Sequence, residues 1–308
     1  MWRYCLVRVV GAVPTLLVII TLAFILLRAA PGGPFDGDKE ITPEIRARIE
    51  RVYHLDEPLP AQYLRYLGQV LQGDLGPSFQ YPNMRVNELI AAGFAKDLVI
   101  GGLALLLACA IGIPLGAWAA WRSGGIIERL AQAVALVGIS IPVYVTAPLL
   151  ILLFAVILQW LPAGGWGEGE ARYLVLPVVA MAVPYLAYIT RLAHSGVRST
   201  LQQPFVRTAR AKGLGAMTIL FRHALRPSLV PVVAFLGPAT AGAITGSIVI
   251  ESTFGLEGIG QFFVKGAFNR DYTLVMGVTI LYGVLIVAAN LVADLLQAAL
   301  DPRLRLRA

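Results

Sequence analysis

Six apolar runs set the pattern of this chain: 9–27, 98–121, 130–161, 174–192, 229–250 and 274–300. Each approaches or exceeds the roughly 20 residues that cross about 30 Å of hydrocarbon as a helix. The run 130–161 is long enough to tilt or to extend past a bilayer. The stretch 29–96 reads differently, as amphipathic helices. Thr42 can cap a helix with Pro43 and Glu44 in its first turn, placing Ile45, Ile49, Val52 and Tyr53 on one face. A second helix over 61–71 shows Tyr63, Leu67, Val70 and Leu71 and stops at Gly73. A third, 86–94, leads into the next apolar run. This stretch is expected to cap the helix ends, with a gate or a landing surface for a soluble partner as the alternative.

The polar stretch 191–228 carries the strongest local signal. It holds seven basic residues (Arg191, Arg198, Arg207, Arg210, Lys212, Arg222, Arg226) and no Asp or Glu. Pro204 can open a helix over 205–212, Gly213 interrupts it, and Gly215 precedes a second helix over 216–225. In that second helix Met217, Leu220, Phe221 and Leu225 are expected on one face. Helix, glycine, helix predicts a bent bracket.

Composition agrees with a polytopic membrane protein: 57% of the 308 residues are hydrophobic and 14% charged, with a mean hydropathy of +0.73. The first run is too long for a signal-peptide core and lacks a suitable cleavage site, so it is expected to remain as a transmembrane helix. With both termini inside, the inner segments carry fourteen of the 25 basic residues and only Glu128, Asp294 and Asp301 of the 18 acidic ones. The positive-inside bias therefore predicts N-in, C-in. The +7 net charge thus reflects topology, not nucleic acid. Cys5 and Cys109 suit neither a disulfide framework nor a zinc site.

His54, His194 and His223 are scattered, and there is no HExxH, GxSxG or Gly-Lys-Ser/Thr phosphate loop. No catalytic residue, metal ligand or bound cofactor is therefore expected. The spacings Gly112–Gly116 and Gly242–Gly246 predict close helix packing. The second lies in a small-residue run that could equally line a wide passage, which makes Thr240, Gly242, Thr245, Gly246 and Ser247 pathway candidates. Glu251, opening the Gly-rich stretch 251–273, joins them as a gate candidate. Charge inside the spans is confined to Asp294 beside Asn290, read as a structural anchor; this weakens proton- or sodium-coupled transport.

The wording RTARAKG…RHALRP resembles the coupling loop of permease subunits in bacterial ABC importers, in the form of the di- and oligopeptide branch. Aligned on Gly213, only Ala209, Gly213 and Leu225 fit the general pattern of that loop. Further segments resemble the oligopeptide-permease B-type subunit: ILLRAAPGGPF (25–35), YHLDEPLPAQY (53–63), GDLGPSF (73–79), LPAGGW (161–166), GSIVIESTFGLEGIGQFF (246–263) and NRDYTLV (269–275). Nickel or dipeptide import is the alternative within the family, and a self-contained secondary transporter or channel the alternative outside it.

The resemblance implies an all-α, six-helix, N-in/C-in permease of type I importer form in a bacterial inner membrane, with a helical extracytoplasmic insertion between the first two helices. Its expected divisions are the N-terminus and first span (1–28), the insertion (29–96), spans two to four (97–193), the coupling loop (194–228), spans five and six (229–300) and a basic tail (301–308). The coupling residues would be Arg207, Thr208, Ala209, Arg210, Ala211, Lys212, Gly213, Leu214 and Leu225. The implied partners are a second homologous permease, two cytoplasmic ATPases carrying ATP and magnesium, an extracytoplasmic peptide-binding protein and lipid, but no nucleic acid.

Overall fold

The computed structural model describes residues 2–30, 51, 54–81 and 83–300. Apart from one antiparallel bridge between Pro77 and Arg85, the regular elements among them are helical. The expected Thr42-capped helix and the basic tail lie outside the described residues. In chain order the main helices are α1 (Trp2–Ala29), α2 (Leu59–Leu71), α3 (Val86–Trp121), α4 (Ile126–Ser140), α5 (Val143–Ile151), α6 (Ala171–Leu201), α7 (Pro204–Ala211), α8 (Ala216–Ser228), α9 (Val230–Ile244), α10 (Ile248–Phe254), α11 (Ile259–Phe268) and α12 (Tyr272–Leu300).

Four helices are long and apolar enough to cross a membrane: α1 over Val10–Ala29, α3, α6 and α12. Two bent pairs raise the number to six if each is one span. Ile126–Ser140 meets Val143–Ile157 at 100°, and Ala216–Ser228 meets Val230–Ile244 at 46°.

Three apolar runs depart from single straight helices, each for a local reason. The run 130–161 breaks because Pro142 offers no N–H and steers Ile141 into extended backbone, φ −87° and ψ 117°. Beyond α5 the helix widens into a π turn over Leu152–Ile157. The run 229–250 ends early: α9 stops at Ile244, Gly246 takes φ +80°, and Ser247 Oγ accepts from Ile250 N to start α10. Conversely, the expected helix 86–94 and the run 98–121 fuse into α3. Its 36 residues span roughly 54 Å, so it projects well beyond a bilayer core.

The bundle is built around α3 against α6. A Cβ on Gly112 would come within 3.0 Å of the Leu186 carbonyl oxygen, and one on Gly116 would overlap that of Thr190. The first Gly-x-x-x-Gly spacing is thus a close helix crossing. One core cluster joins Ala104, Leu105, Ala147, Leu176, Ala180, Ala239, Ile250 and Phe254. A second, toward the end away from the bracket, joins Val86, Leu89 and Ile90 of α3 to Ile259 and Phe262 of α11 and Leu274 and Val278 of α12.

The described part of 29–96 packs onto that same end. Tyr66 of α2 clusters with Ile20 and Phe24 of α1 and Met276 of α12, while Tyr63 OH and Thr21 Oγ1 lie 2.6 Å apart. Asp271 is buried and ties this layer down. It accepts from Ser78 Oγ, from Gln80 N at 3.2 Å and from Leu274 N at 3.1 Å, the last capping α12.

Candidate functional site

The bracket occupies one end of the bundle. Gln203 is extended and Pro204 takes the first helical position, where a missing N–H is harmless. The helix α7 closes with a Schellman pattern: Gly213 N donates to Arg210 O at 2.9 Å and Leu214 N to Ala209 O at 3.2 Å, with Gly213 at φ +76°. That left-handed turn needs glycine, since an L side chain there is strained.

Ala209 is not on an outer face. It is 6% exposed and packs with Val206 and Ile219 in the bracket's own small core. Its small size lets α7 sit on α8 and does not open a docking cleft.

The expected apolar face of the second helix is split. The backbone widens into a π turn over Ile219–Ala224, which shifts the register. Leu220 and Ala224 turn inward and Leu225 packs with Leu220, whereas Met217 (63% exposed) and Phe221 (65%) face outward. Phe205 and Leu214 are exposed too, as are Arg207, Thr208, Arg210, Ala211 and Lys212. The result is a basic surface studded with apolar side chains.

The bracket is fastened at both roots. Glu128, at the start of α4, accepts from His194 Nε2 and Arg198 Nη1, each at 2.8 Å, and from Gly124 N at 2.6 Å. A Cβ on Gly196 would overlap the Ser228 carbonyl oxygen, so α6 and the end of α8 touch backbone to backbone. Arg226 Nη2 donates to Ala299 O at 3.1 Å near the end of α12.

A cavity of about 670 Å³ opens along α6 and α9. Met181, Pro184, Tyr185 and Tyr188 line it from α6, and Phe235, Pro238, Ala239 and Gly242 from α9. Both sets follow the three-and-four spacing of one helix face. Val143, Gly246, Ser247, Ile248 and Ile250 complete the lining, and none of these side chains is charged. Tyr188 and Phe235 stack across it with centroids 5.5 Å apart.

Of the pathway candidates, Gly242, Gly246 and Ser247 are therefore brought together on this wall. Thr240 and Thr245 are not; they fall off the lining face of α9, and Thr245 Oγ1 turns back to Gly242 O at 3.4 Å. Gly242 and Gly246 do not form a helix-packing pair. A Cβ on Gly242 would meet only Tyr185 Oη, at 3.4 Å, and Gly246 is the left-handed break itself. Glu251 is turned away from the cavity and is 1% exposed.

Buried beside Glu251 is Asp97, 4% exposed, within the continuous helix α3. In the sequence, charge is read within the apolar runs, and Asp97 stands one residue before the run 98–121 although the helix is continuous through it. Asp97 was hidden because it borders an apolar run and is followed by one. The aromatic lining residues were hidden because Tyr and Phe in apolar helices read as core; only the i, i+3, i+4, i+7 set Met181, Pro184, Tyr185, Tyr188 could have pointed to them.

Comparison with known proteins places this architecture. Residues 112–306 match the family model of the binding-protein-dependent transport system inner membrane component, and residues 1–82 match the N-terminal model of such membrane components. The chain belongs to this family, the permease subunits of ABC importers. The oligopeptide transport system permease protein OppB of Salmonella typhimurium is 46% identical over 305 residues, covering 99% of this chain and 100% of that protein. OppB of Escherichia coli K12 is 45% identical over the same length, and the dipeptide transport system permease protein DppB of Bacillus subtilis 40% over 306 residues, 99% of each chain. Among solved structures, the methionine ABC transporter MetNI in inward-facing conformation superposes with a TM-score of 0.55 at 20% identity, covering 69% of this chain and 96% of that one. That likeness concerns the fold.

Proposed function

We propose that this chain is the permease subunit of an ATP-driven oligopeptide importer, forming half of the passage and taking its power stroke through the bracket. The observation that carries the substrate class is the even, end-to-end likeness to OppB proteins, at 45–46% identity, against 40% and 35% for the dipeptide permeases. The cavity suits that cargo. Its wall of small residues, aromatic faces and hydroxyls can pass side chains of any kind without holding a charged one tightly.

On this reading each bent pair is one span, giving six in all with both termini inside the cell, in a bacterial inner membrane. The bracket then lies in the cytoplasm and α2, α10 and α11 on the outer side. A second, homologous permease faces the open cavity and closes the passage. Two ATPase subunits, which bind ATP and magnesium, dock on the two brackets; here Phe205, Leu214, Met217 and Phe221 supply the apolar anchors and the surrounding Arg and Lys the steering charge. Closure of the ATPases favours the outward-open state, a peptide enters from an extracytoplasmic binding protein, and hydrolysis restores the inward-open state. The driver is differential affinity for the two states.

Uptake in cells lacking their own chain tests the substrate class. Tetra- and pentapeptides should enter in an ATP-dependent manner and outcompete dipeptides and nickel. Preferential uptake of dipeptides or of nickel would move the chain to the other branches of its family.

A further inference from the structure

The end of the bundle opposite the bracket holds two buried carboxylates that the transport reading does not use. Asp97 comes from α3 and Glu251 from α10, and both face the start of α11. Helix α11 has no side-chain cap of its own: Gly258 precedes it in extended backbone. Its first three N–H groups, which no helix can satisfy internally, are taken by the pair. Ile259 N donates to Asp97 Oδ2 at 2.7 Å, Gly260 N to Glu251 Oε1 at 3.2 Å and Gln261 N to Glu251 Oε2 at 2.7 Å.

The surroundings are shaped for these contacts. A Cβ on Gly246 or Gly258 would overlap a carboxylate oxygen, and one on Gly260 would come within 2.7 Å of Glu251 Oε1. Lys96, next along α3, reaches Glu257 at 3.8 Å, so the donors that meet the pair's oxygens are the backbone N–H groups of α11. A helix N-terminus attracts carboxylate oxygens through its N–H groups and its dipole, and these bonds offset the repulsion between two acids buried side by side.

The pair also sits between two packing units. Ile250, Phe254 and Leu256 belong to the cluster shared by α3, α5, α6 and α9, whereas Ile259 and Phe262 belong to the cluster that a different stretch of α3 forms with α12. The first unit is pinned separately, where Gly165 N donates to Phe254 O at 2.6 Å. Residues 245–258 pass from one unit to the other, and their Gly246, Ser247 and Ile248 form the cavity wall at this end.

We propose that Asp97 and Glu251 are positioning residues for transport, together forming the latch of the passage's outer rim. By holding the first turn of α11 to α3 and α10, they keep residues 245–258 closed over the cavity. The inference rests on the reading of the cavity as the passage.

The test uses the assembled complex in vesicles, with Cys5→Ser and Cys109→Ala, a reporter Ile250→Cys that lines the cavity and is 2% exposed in the parent, and an impermeant thiol reagent on the outer side. In the parent, labelling should be slow at rest and fast in the ATP-closed state. Asp97→Ala or Glu251→Ala should raise the resting rate at least about tenfold, as expected when a charge-assisted bond made only in the closed form is lost. The double variant should add little, and ATP hydrolysis without peptide should rise. Ala108→Cys, fully buried in the parent, should stay unlabelled, which separates latch release from unfolding.

If Asp97→Ala fails to assemble, Asp97→Asn and Glu251→Gln decide, with a rise of about threefold or more expected for the weaker neutral acceptors. Resting rates at the parent value in assembled variants overturn the latch. A parent reporter that never responds to nucleotide, with no peptide uptake, overturns the passage reading and the latch with it.

Discussion

Nε2 of His194 donates to Oε1 of Glu128 at 2.8 Å, joining the last turns of α6 to the first turn of α4 across 66 residues. Arg198 adds a second bond to the same oxygen. Because α6 runs directly into the bracket, any shift of the bracket reaches α4 through this junction as well as through the chain.

Removing the Glu128 carboxylate should therefore loosen transmission and not insertion. Glu128→Ala is expected to lower the peptide moved per ATP hydrolysed by about fivefold or more, the scale of an ordinary coupling energy. The ratio is read in vesicles by counting both; an unchanged ratio takes Glu128 out of the transmission path.

Gly213 offers a cleaner separation of shape from contact. Its φ is +76° and no atom lies within 4 Å of the position a Cβ would take, so size alone is no obstacle inside the chain. Gly213→Val should break the turn, at a strain of roughly 1–2 kcal/mol, and reduce uptake sharply. Gly213→Asn, which tolerates the left-handed conformation, should keep most of it. Equal loss in both would mean that the ATPase contacts this position directly. Gly213→Trp, bulky on either account, should abolish uptake with the protein still inserted.

Helix packing makes an opposite pair of expectations for two glycines of α3. Gly116→Ala pushes a methyl into the Thr190 carbonyl and Ala193 and should destabilise the chain by about 1–3 kcal/mol. Gly102→Ala, with nothing within 4 Å, should be neutral or stabilising by up to about 1 kcal/mol. Denaturant titration in detergent measures both.

Blocking the cavity should stop transport without disturbing assembly. Gly242 faces open space apart from Tyr185, so Gly242→Trp is expected to abolish uptake while its partners still co-purify. Tyr188→Ala, which removes the stack on Phe235, should widen the wall and let bulkier peptides compete. Uptake by Gly242→Trp at the parent rate would place the passage elsewhere.

Much of the helical architecture was legible in the residue pattern, because apolar length and turn chemistry obey simple physics. The bracket's Pro204 start and Gly213 bend follow from backbone chemistry alone, and Gly112–Gly116 from the need for close contact. What escaped was set by tertiary partners. Around the π turn at Ile219–Ala224, Met217 and Phe221 face outward while Leu220 and Ala224 pack inward, which splits the single apolar face expected. Pro142 was visible as a proline, but the 100° bend it permits depends on where α5 packs. Asp97 gave no signal, since its partner Ile259 N lies 162 residues away. Glu251 was singled out in the sequence as a gate candidate, but its bonds to Gly260 N and Gln261 N, and the room that Gly246, Gly258 and Gly260 leave for carboxylates, were not readable there.

Mild-detergent purification of the tagged chain from its own membranes tests the central claim most directly. A sister permease and two ATPase chains should accompany it, and the ATPases should be lost from a Met217→Asp, Phe221→Asp variant that still retains the sister permease. Recovery of the chain alone or as a homo-oligomer, moving solute in vesicles without ATP, would contradict the importer account and favour a self-contained transporter.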